Sequence, residues 1–396
     1  MRKNKLAVLA VVSAVSMSVL AGCSIKEFDP TVFMAQQSET NSSDEQSESM
    51  TDGDEDVAGN TEQIIGHDKE NGLACITIVK TSELSDDVIH LSGVSDIANI
   101  AVQNGLDNSR QDSSAGYMLA AAKNISNAVN ADNTDGVVVV CDSVSLEEMA
   151  YFVDLTDKSD KPVVFVSAES ALESSVDAQS NLYHAVTAAM NEESIGRGVL
   201  VTHKGRIYEA EAFDEQLLYV IDTAEEVIYG DGETTYNITE LPESGNEKAV
   251  GYIEDGKVVY TSDIIRKNSD EEKFDIEDVK SLPLVTIIYD SMAIDTGLLE
   301  NAFAGYDGIV IAAAGNGTFS KNTADFITES SRMPAIVRAS RNADCKVVRD
   351  KEFSDSENQT IAAGTLSATK SRVLLMLSLT KTDDLKEIQQ KFDLMQ

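Results

Sequence analysis

Basic residues are scarce in this chain, and their scarcity limits the partners that it can have. Lys and Arg together number 31, against 68 Asp and Glu, which gives a formal net charge of −37. Binding to a nucleic acid needs Lys and Arg against the phosphates, so we predict no nucleic-acid partner. A charge of this sign and size is typical of a solvated acidic surface.

Cysteine and histidine are also few, which makes a disulfide bridge or a metal site harder to form. Apart from Cys23, the three Cys form an odd set without metal-ligand spacing. Cys75 falls near the start of one predicted strand and Cys141 near the end of another, so we expect no bridge between them. The four His are scattered, with no two at ligand spacing: His67, His90, His184 and His203. We therefore predict no metal site and no cofactor.

The first 22 residues have the pattern of a secretory signal. Basic residues at positions 2, 3 and 5 precede an apolar stretch from 6 to 20. The segment ends Leu20-Ala21-Gly22-Cys23, which resembles the lipobox of bacterial lipoproteins. That resemblance implies cleavage before Cys23, lipid attachment to its sulfur, and anchoring on the extracytoplasmic face of the cell membrane. The alternative is an ordinary secreted protein in which a Cys happens to follow the signal.

The rest of the chain divides into a tether and two domains. Residues 23–68 are rich in Ser, Asp, Glu, Gln and Thr and lack hydrophobic periodicity, which predicts a disordered acidic tether. Short β-branched strands then alternate with helices, which predicts a larger N-terminal domain with a parallel sheet, residues 69–265. The charged stretch 266–283 is interpreted as a linker to a smaller C-terminal α/β domain, residues 284–396. The predicted fold class is therefore α/β.

The stretch from Gly136 to Phe152 is the centre of the first domain. Its β-branched run, Val137 to Val140, is typical of a strand buried on both faces, and small polar residues follow. We place the start of the next helix at Leu146, with Glu147 and Glu148 in its first turn, where the helix dipole favours carboxylates. In an open α/β sheet, such a strand end next to a helix N-terminus is where ligands bind.

This stretch resembles the second catalytic motif of the bacterial L-asparaginase and glutaminase family, H-G-T-D-T-x-E-E-T-A-Y-F. The end of the motif is kept, from Glu147 to Phe152, whereas its start is replaced by Cys141-Asp142-Ser143-Val144-Ser145. On these and later matches the chain is identified as a member of that family, which implies its two-domain fold and the hydrolysis of L-asparagine to L-aspartate and ammonia. The later matches lie in 154–164, 181–183, 197–201, 304–310, 315–317, 337–341 and 364–375.

The resemblance also assigns catalytic roles, and several of these positions are changed. The family attacks the amide with a Thr in the motif T-G-G-T-I-A-G, which falls on residues 81–87 and places Leu84 at the nucleophile position. In the second motif the catalytic Thr corresponds to Ser143 and its paired Asp to Val144, and we place the catalytic Lys at Glu192. Leucine cannot attack a carbonyl, and Ser143 has lost its activating partners. The resemblance thus implies a degenerate site with Ser143 as a candidate catalytic residue.

The ligand-binding positions are better kept. The family's substrate motif G-S-Q-D falls on residues 109–112, where Gln111 and Asp112 are retained. Glu352 falls where a neighbouring subunit supplies a Glu, which implies a homodimer or a homotetramer. Arg110 replaces the Ser of the motif, and its guanidinium either binds a ligand carboxylate or is a solvated surface cation among acids. Asp142 completes the set of ligand-binding candidates.

Three functions remain open from the sequence. The first is a surface lipoprotein with the asparaginase fold and no amidase activity. The second is a working amidohydrolase that uses a rearranged hydroxyl, from Ser82, Ser85 or Ser143. The third is a non-catalytic receptor for an amino acid or another small carboxylate. Fold alone does not choose among them, but residues that act as a unit fail as a unit, which favours the first.

Overall fold

The computed structural model describes most of the chain between residues 61 and 395. The described ranges are 61–65, 72–82, 86–104, 114–167, 176–214, 224–228, 234–238, 248–263, 273–331, 333–342 and 344–395. The predicted signal and its Cys23 lie outside these ranges. In the described part of the chain, no helix has both the length and the apolar composition needed to cross a membrane.

Strands and helices alternate along both halves of the described chain. The strands are β1 (Thr61–Ile65), β2 (Cys75–Lys80), β3 (Asn99–Asn104), β4 (Gly136–Cys141), β5 (Val163–Ser167), β6 (Val199–His203), β7 (Arg206–Glu209), β8 (Ala224–Ile228), β9 (Thr234–Ile238), β10 (Gly251–Glu254), β11 (Lys257–Tyr260), β12 (Val285–Tyr289), β13 (Gly308–Ala313), β14 (Ala335–Ser340) and β15 (Thr360–Ala362). The helices are α1 (Asp86–Leu91), α2 (Val94–Ile97), α3 (Ala115–Asn130), α4 (Ser143–Thr156), α5 (Val176–Ala189), α6 (Thr296–Gly305), α7 (Lys321–Glu329), α8 (Asp355–Asn358), α9 (Ala368–Leu379) and α10 (Leu385–Leu394).

The larger sheet confirms the predicted parallel βαβ architecture. Its strand order is β1-β3-β2-β4-β5-β6-β7-β10-β11. The strands β3, β2, β4, β5 and β6 run parallel, and the others are antiparallel to their neighbours. Val137 to Val140 are fully buried, as expected for a strand with helices on both faces. Strands β8 and β9 form a separate antiparallel pair.

The second half of the chain is the smaller α/β domain that the sequence predicts. Its four strands run parallel in the order β12-β13-β14-β15. Helix α9 packs closely over the start of β13, because Gly308 has no side chain there. A Cβ atom at Gly308 would stand 2.8 Å from the Leu375 side chain, which is too close for any other residue without a shift.

Strand β1 lies inside the segment that was predicted to be a disordered tether. It pairs antiparallel with β3, and Ile65 lies opposite Ile100. The prediction of disorder up to residue 68 is therefore wrong for residues 61–65. The physical reason is non-local, because β1 satisfies backbone groups along β3 that an edge strand would leave unpaired. The composition of the segment itself does not show this pairing.

Helix α4 begins three residues earlier than predicted. Asp142 is its N-cap residue and Ser143 its first helical residue, so Glu147 and Glu148 lie beyond the first turn. The prediction that these two carboxylates stabilise the first turn through the helix dipole is wrong. The small polar residues at the start carry no hydrophobic periodicity, and so the pattern could not show that the turn is helical.

The described part of the predicted linker is packed against both domains. Phe274, Ile276 and Leu282 are buried in a core cluster that also contains residues of the large and small sheets. The backbone N–H of Phe274 donates to the Leu155 carbonyl at 2.9 Å. Residues 273–283 therefore join the two halves through apolar burial, although their sequence is charged.

Candidate functional site

Two strand ends meet at the carboxyl edge of the large sheet. Strands β2 and β4 are parallel neighbours, which brings Thr81 and Ser82, just after β2, close to the end of β4. The hydroxyls of Thr81 and Ser82 both donate to the Val140 carbonyl, at 3.0 and 3.4 Å. The Tyr117 hydroxyl, from α3, donates to the Thr81 carbonyl at 2.6 Å. These bonds fix the backbone of the junction, and sequence reasoning did not single out Tyr117.

The N-terminus of α4 forms the next part of the candidate site. Ser143 is 2% exposed, whereas Val144, the next residue, is 68% exposed. Asp142 is half-buried, and its carboxylate makes no capping hydrogen bond to the helix. The residue that points most fully to solvent at this helix end is thus an aliphatic side chain, which can neither accept nor donate a proton.

The Cys141 thiol is also part of this junction, but it is not a nucleophile. It is buried and lies 3.4 Å from the Ser145 hydroxyl. Burial raises the pKa of the thiol to about 11, although the hydrogen bond to Ser145 partly opposes the shift. At neutral pH the group is therefore protonated, and a thiol reacts only as its thiolate.

His203 ends strand β6 at the same carboxyl edge and was not singled out as a site residue. It is buried, and its Nε2 has no hydrogen-bond partner among the residues that the structure describes. Burial, together with the nearby Lys204, lowers the pKa of the imidazole to about 4, so it is neutral at pH 7. Strand β5 separates β6 from β4, which puts their axes about 10 Å apart. His203 is therefore not positioned to bond Ser143 directly.

Glu192 lies at the opposite edge of the sheet from Ser143, and its assignment to the catalytic Lys position is wrong. It follows α5, which runs back from the carboxyl edge between the parallel strands β5 and β6. A Cβ atom at Gly136, the first residue of β4, would meet the Ala189 carbonyl at the end of α5. Glu192 therefore stands near the start of β4, whereas Ser143 follows its end. The assignment of Glu192 rests on the sequence motif alone, which carries no information about the edge of the sheet at which a residue lies.

The retained Glu-Glu pair of α4 binds the second domain. The Glu147 carboxylate accepts hydrogen bonds from the Ser367 hydroxyl at 2.9 Å and from the Lys370 ammonium at 3.1 Å. Lys370 also donates to the Phe213 carbonyl, and both charged side chains are almost fully buried. Ser367 is the N-cap residue of α9, so Glu147 also lies near the positive end of that helix.

The neighbouring glutamate makes a second, more exposed connection. The Arg372 guanidinium donates to Glu148 at 2.8 Å and to the Val285 carbonyl at 2.9 Å. The side chains of this pair are 23% and 24% exposed. The best-preserved part of the sequence motif thus joins the site helix to the second domain, and it makes these contacts away from the helix end that carries Ser143.

In the second domain, Glu352 is exposed on a loop that a buried ion pair holds in place. Arg338 donates to both Asp355 oxygens, at 2.9 and 2.5 Å, and to the Val348 carbonyl at 2.9 Å. Asp355 also accepts the Asp350 backbone N–H at 2.9 Å. Both ends of the loop around Glu352 are therefore fixed, while its own side chain remains exposed to solvent.

Several predicted site residues lie outside the described residues. They are Cys23, Leu84, Ser85, Arg110, Gln111 and Asp112. Of the predicted set, the structure describes Ser82, Asp142, Ser143, Val144, Glu192 and Glu352. It places Asp142, Ser143 and Val144 together at the α4 N-terminus. Among the described residues, no three His, Cys, Asp or Glu side chains form a group that could hold a metal ion.

The fold and the site define a two-domain α/β protein whose candidate site lies at the carboxyl edge of parallel strands, next to a helix N-terminus. The family model for the N-terminal domain of asparaginase matches residues 64–220. The model for the glutaminase/asparaginase C-terminal domain matches residues 284–392. Together they cover the parallel strands of the large and small sheets, and the chain belongs to the asparaginase family.

Curated relatives agree with this assignment. The chain is similar to L-asparaginase 2 of Escherichia coli (strain K12), with 35% identity over 75% of this chain and 81% of the relative. It is 34% identical to L-asparaginase 2 of Bacillus subtilis (strain 168), over 75% of each chain. It is 30% identical to the glutaminase-asparaginase of Acinetobacter glutaminasificans, over 76% of this chain and 86% of the relative.

Proposed function

We propose that this chain is a surface-anchored member of the asparaginase family that has lost amide hydrolysis. The observation that carries the proposal is Val144, which stands exposed at the α4 N-terminus, where the resemblance places an activating Asp. Leu84 at the nucleophile position supports it, because its side chain has no atom that can attack a carbonyl. Glu192 no longer contributes to this argument, because it lies at the other edge of the sheet.

The remaining hydroxyls of the described junction support the same proposal. Thr81 and Ser82 donate their protons to the Val140 carbonyl, which is not a base that could activate them. The Cys141 thiol is protonated at neutral pH, since its pKa is about 11. The test is ammonia release from asparagine and glutamine, the substrates named by the relatives, and we expect none above the buffer level.

An active amidohydrolase that uses Ser143 is the second candidate. The observation in its favour is the position of Ser143 at the first residue of α4, where the helix dipole stabilises negative charge. If the protein does release ammonia, Ser143→Ala should abolish the activity and Ser145→Ala, its neighbour in the same helical turn, should not. Equal effects of the two changes would reject Ser143 as the nucleophile.

A receptor for a small carboxylate is the third candidate, and it is compatible with the loss of catalysis. Arg110 replaces a Ser in the ligand-binding motif, while Val144 replaces an Asp, so the site has gained a cation and lost an anion. A dicarboxylate without an amino group should then bind better than aspartate. Calorimetric titration with succinate and aspartate tests this, and Arg110→Ala should weaken succinate by about tenfold or more. Unchanged binding in Arg110→Ala would reject the role of this residue.

The surface location rests on the sequence Leu20-Ala21-Gly22-Cys23 after a basic and apolar start. Lipid attached to Cys23 would hold the protein at the extracytoplasmic face of the membrane. Metabolic labelling with a fatty acid should mark the wild type and should not mark Cys23→Ser. Equal labelling of the two proteins would contradict lipidation at this residue.

A further inference from the structure

A cavity of about 390 Å³ lies between helix α5 and the hairpin formed by β10 and β11. Helix α5 contributes Leu182, Ala185 and Val186 to one of the hydrophobic clusters that pack against the large sheet. The described members of this cluster include no residue of the second domain. The buried residues of α9 belong to the other cluster, on the opposite side of the sheet. The cavity is therefore on the face of the first domain that is turned away from the second domain, and we call it the α5 cavity.

The α5 cavity is also distant from the candidate site at the carboxyl edge. Its lining includes Asn191, just after α5, and Ile97, just before β3 begins. Both residues are at the amino edge of the sheet, as the contact between the end of α5 and the start of β4 shows. Ser143 follows the other end of β4. The α5 cavity and the carboxyl-edge site are thus separate.

The walls of the α5 cavity combine apolar side chains with hydrogen-bond donors. One wall of the cavity is a single face of α5, with residues at helical spacing. It consists of Tyr183, Thr187 and Met190, the last of which directly follows the helix. Ile97 and Val258 also line the cavity and add to its apolar surface. A cavity of this size and composition is within the range of small-molecule sites.

Two polar lining groups of the cavity can donate to an anion, and Glu254 lies opposite Lys257 in the hairpin. The Asn191 Oδ1 accepts the Glu193 backbone N–H at 2.8 Å, which leaves its amide NH2 group without a partner in the described chain. Lys257 is exposed and forms no ion pair with the described residues. None of the described lining residues is acidic, although the chain has 68 Asp and Glu. A carboxylate is the ligand group that an ammonium and an amide NH2 would bind together.

We propose that the α5 cavity binds a small monocarboxylate with a compact apolar body. The carboxylate lies between Lys257 and the Asn191 amide, and the apolar body packs on Met190, Ile97 and Val258. The Tyr183 ring supplies a flat surface, which suits an aromatic body in particular. This site does not depend on the carboxyl-edge residues or on any amidase activity.

A ligand-observed NMR titration with 3-phenylpropionate tests the proposal. We expect a Kd of about 1 mM or tighter, from the free energy that a small ligand gains per atom. The alcohol 3-phenylpropan-1-ol, which lacks the charge, should bind at least about fivefold more weakly. Lys257→Met should weaken 3-phenylpropionate by a similar factor, and Lys351→Met, at an exposed position in the second domain, should not.

Two further variants make the test specific to the α5 cavity. Asn191→Asp keeps the oxygen that accepts the Glu193 N–H but replaces the amide donor by a like charge, and it should weaken 3-phenylpropionate further. Arg110→Ala should leave the Kd unchanged. Absence of binding at 10 times the expected Kd, or equal Kd values for wild type and Lys257→Met, would overturn the proposal. Loss of binding in Arg110→Ala would indicate that the ligand binds at the carboxyl-edge site. That result would also overturn the proposal.

Discussion

Among single residues, Asp157 has a buried carboxyl group whose ionisation lowers the free energy of unfolding, and the sequence alone does not reveal this burial. The residue is 6% exposed, and burial raises the pKa of its carboxyl group to about 6 from 3.8, although Lys273 partly opposes the shift. The native state therefore binds this proton more tightly than the unfolded state does. The free energy of unfolding should fall as pH rises from about 4 to about 6 and then stay lower, by up to about 3 kcal/mol.

Asp157→Asn should remove this cost. We expect the variant to be more stable than wild type at pH 7.5. The difference should become much smaller at pH 4, where the carboxyl is protonated in the native state and partly protonated in the unfolded chain. Urea unfolding at the two pH values measures it. Asp132→Asn, which removes an exposed carboxylate, is the matched control and should change stability by less than about 0.5 kcal/mol. A variant that is less stable than wild type at pH 7.5 would contradict the account.

At the candidate site too, the sequence shows which side chain is present but does not show its environment. The sequence alone shows that Leu84 and Val144 cannot perform proton transfer or attack, since the side chain decides that chemistry. It does not show that Ser143 is buried or that the Cys141 thiol has a pKa of about 11, because burial depends on residues far along the chain. The position of Glu192 was predicted wrongly for the same reason.

Among the elements, α4 and α9 form the connection on which the arrangement of the two domains depends. Glu147 and Lys370 are 6% and 5% exposed at the ion pair that joins these helices. A buried ion pair costs desolvation of both ions, so its presence is better explained by the alignment of α4 with the second domain than by stability. The retained Glu-Glu motif therefore has a role in the fold that does not depend on catalysis.

A double-mutant cycle tests this interpretation of Glu147 and Lys370. Either single change to Met should cost about 3–5 kcal/mol of unfolding free energy, because it leaves one buried charge unpaired. The double variant should cost less than the sum of the two, since no charge then remains buried. The more exposed pair, Glu148 with Arg372, is the matched comparison, and each change there should cost about 1 kcal/mol.

An additive cycle at Glu147 and Lys370 would contradict this account. Hydrogen exchange of the backbone amides is a second measurement, and it distinguishes a local effect on α4 from a general loss of stability. In the double variant, amides at the start of α4 should exchange faster, while amides of β4 should keep their protection. Equal loss of protection in both elements would indicate that the pair acts on stability alone.

Local elements with a buried face could be predicted well from the sequence. The run Val137 to Val140, predicted to be a strand buried on both faces, lies within β4 and is fully buried. There the apolar run itself records the burial. Strand β1 and the first turn of α4 could not be predicted in this way, because backbone pairing with β3 and a turn of small residues leave no periodic pattern.

At the scale of the whole molecule, the resemblance predicts an assembly of two or four copies. The second domain carries exposed apolar side chains on Tyr289, Met292 and Leu298, and Glu352 is exposed on its fixed loop. Exposed groups of this kind are common where subunits meet. The high negative charge opposes association, but physiological salt screens it beyond about 8 Å.

Light scattering at physiological ionic strength should therefore show a dimer or a tetramer. Met292→Glu should weaken the assembly, because Met292 is 95% exposed and a charge there would be buried on association. Leu394→Glu, which changes another exposed apolar residue, should leave the mass unchanged. A strict monomer of the wild type at micromolar concentration would contradict the predicted assembly and would leave Glu352 without a neighbouring site.

The two-domain fold itself was predictable from the ordered series of matches, and the family models confirm it. What the whole fold does not decide is activity, because the same scaffold can carry an intact or an altered site. Here the contacts that align the two domains are kept, whereas the aliphatic Leu84 and Val144 stand at two positions that the resemblance assigns to catalysis. The loss of activity is therefore the central claim to be tested.

Ammonia release by the purified protein tests that claim most directly. The protein is incubated at pH 7.5 with saturating asparagine and, separately, glutamine, beside L-asparaginase 2 of Escherichia coli as a positive control. We predict no ammonia above the rate without protein, since the account leaves no activated nucleophile among the described residues of the carboxyl edge. Turnover on the order of 1 per second, which is ordinary for an enzyme, would contradict the account.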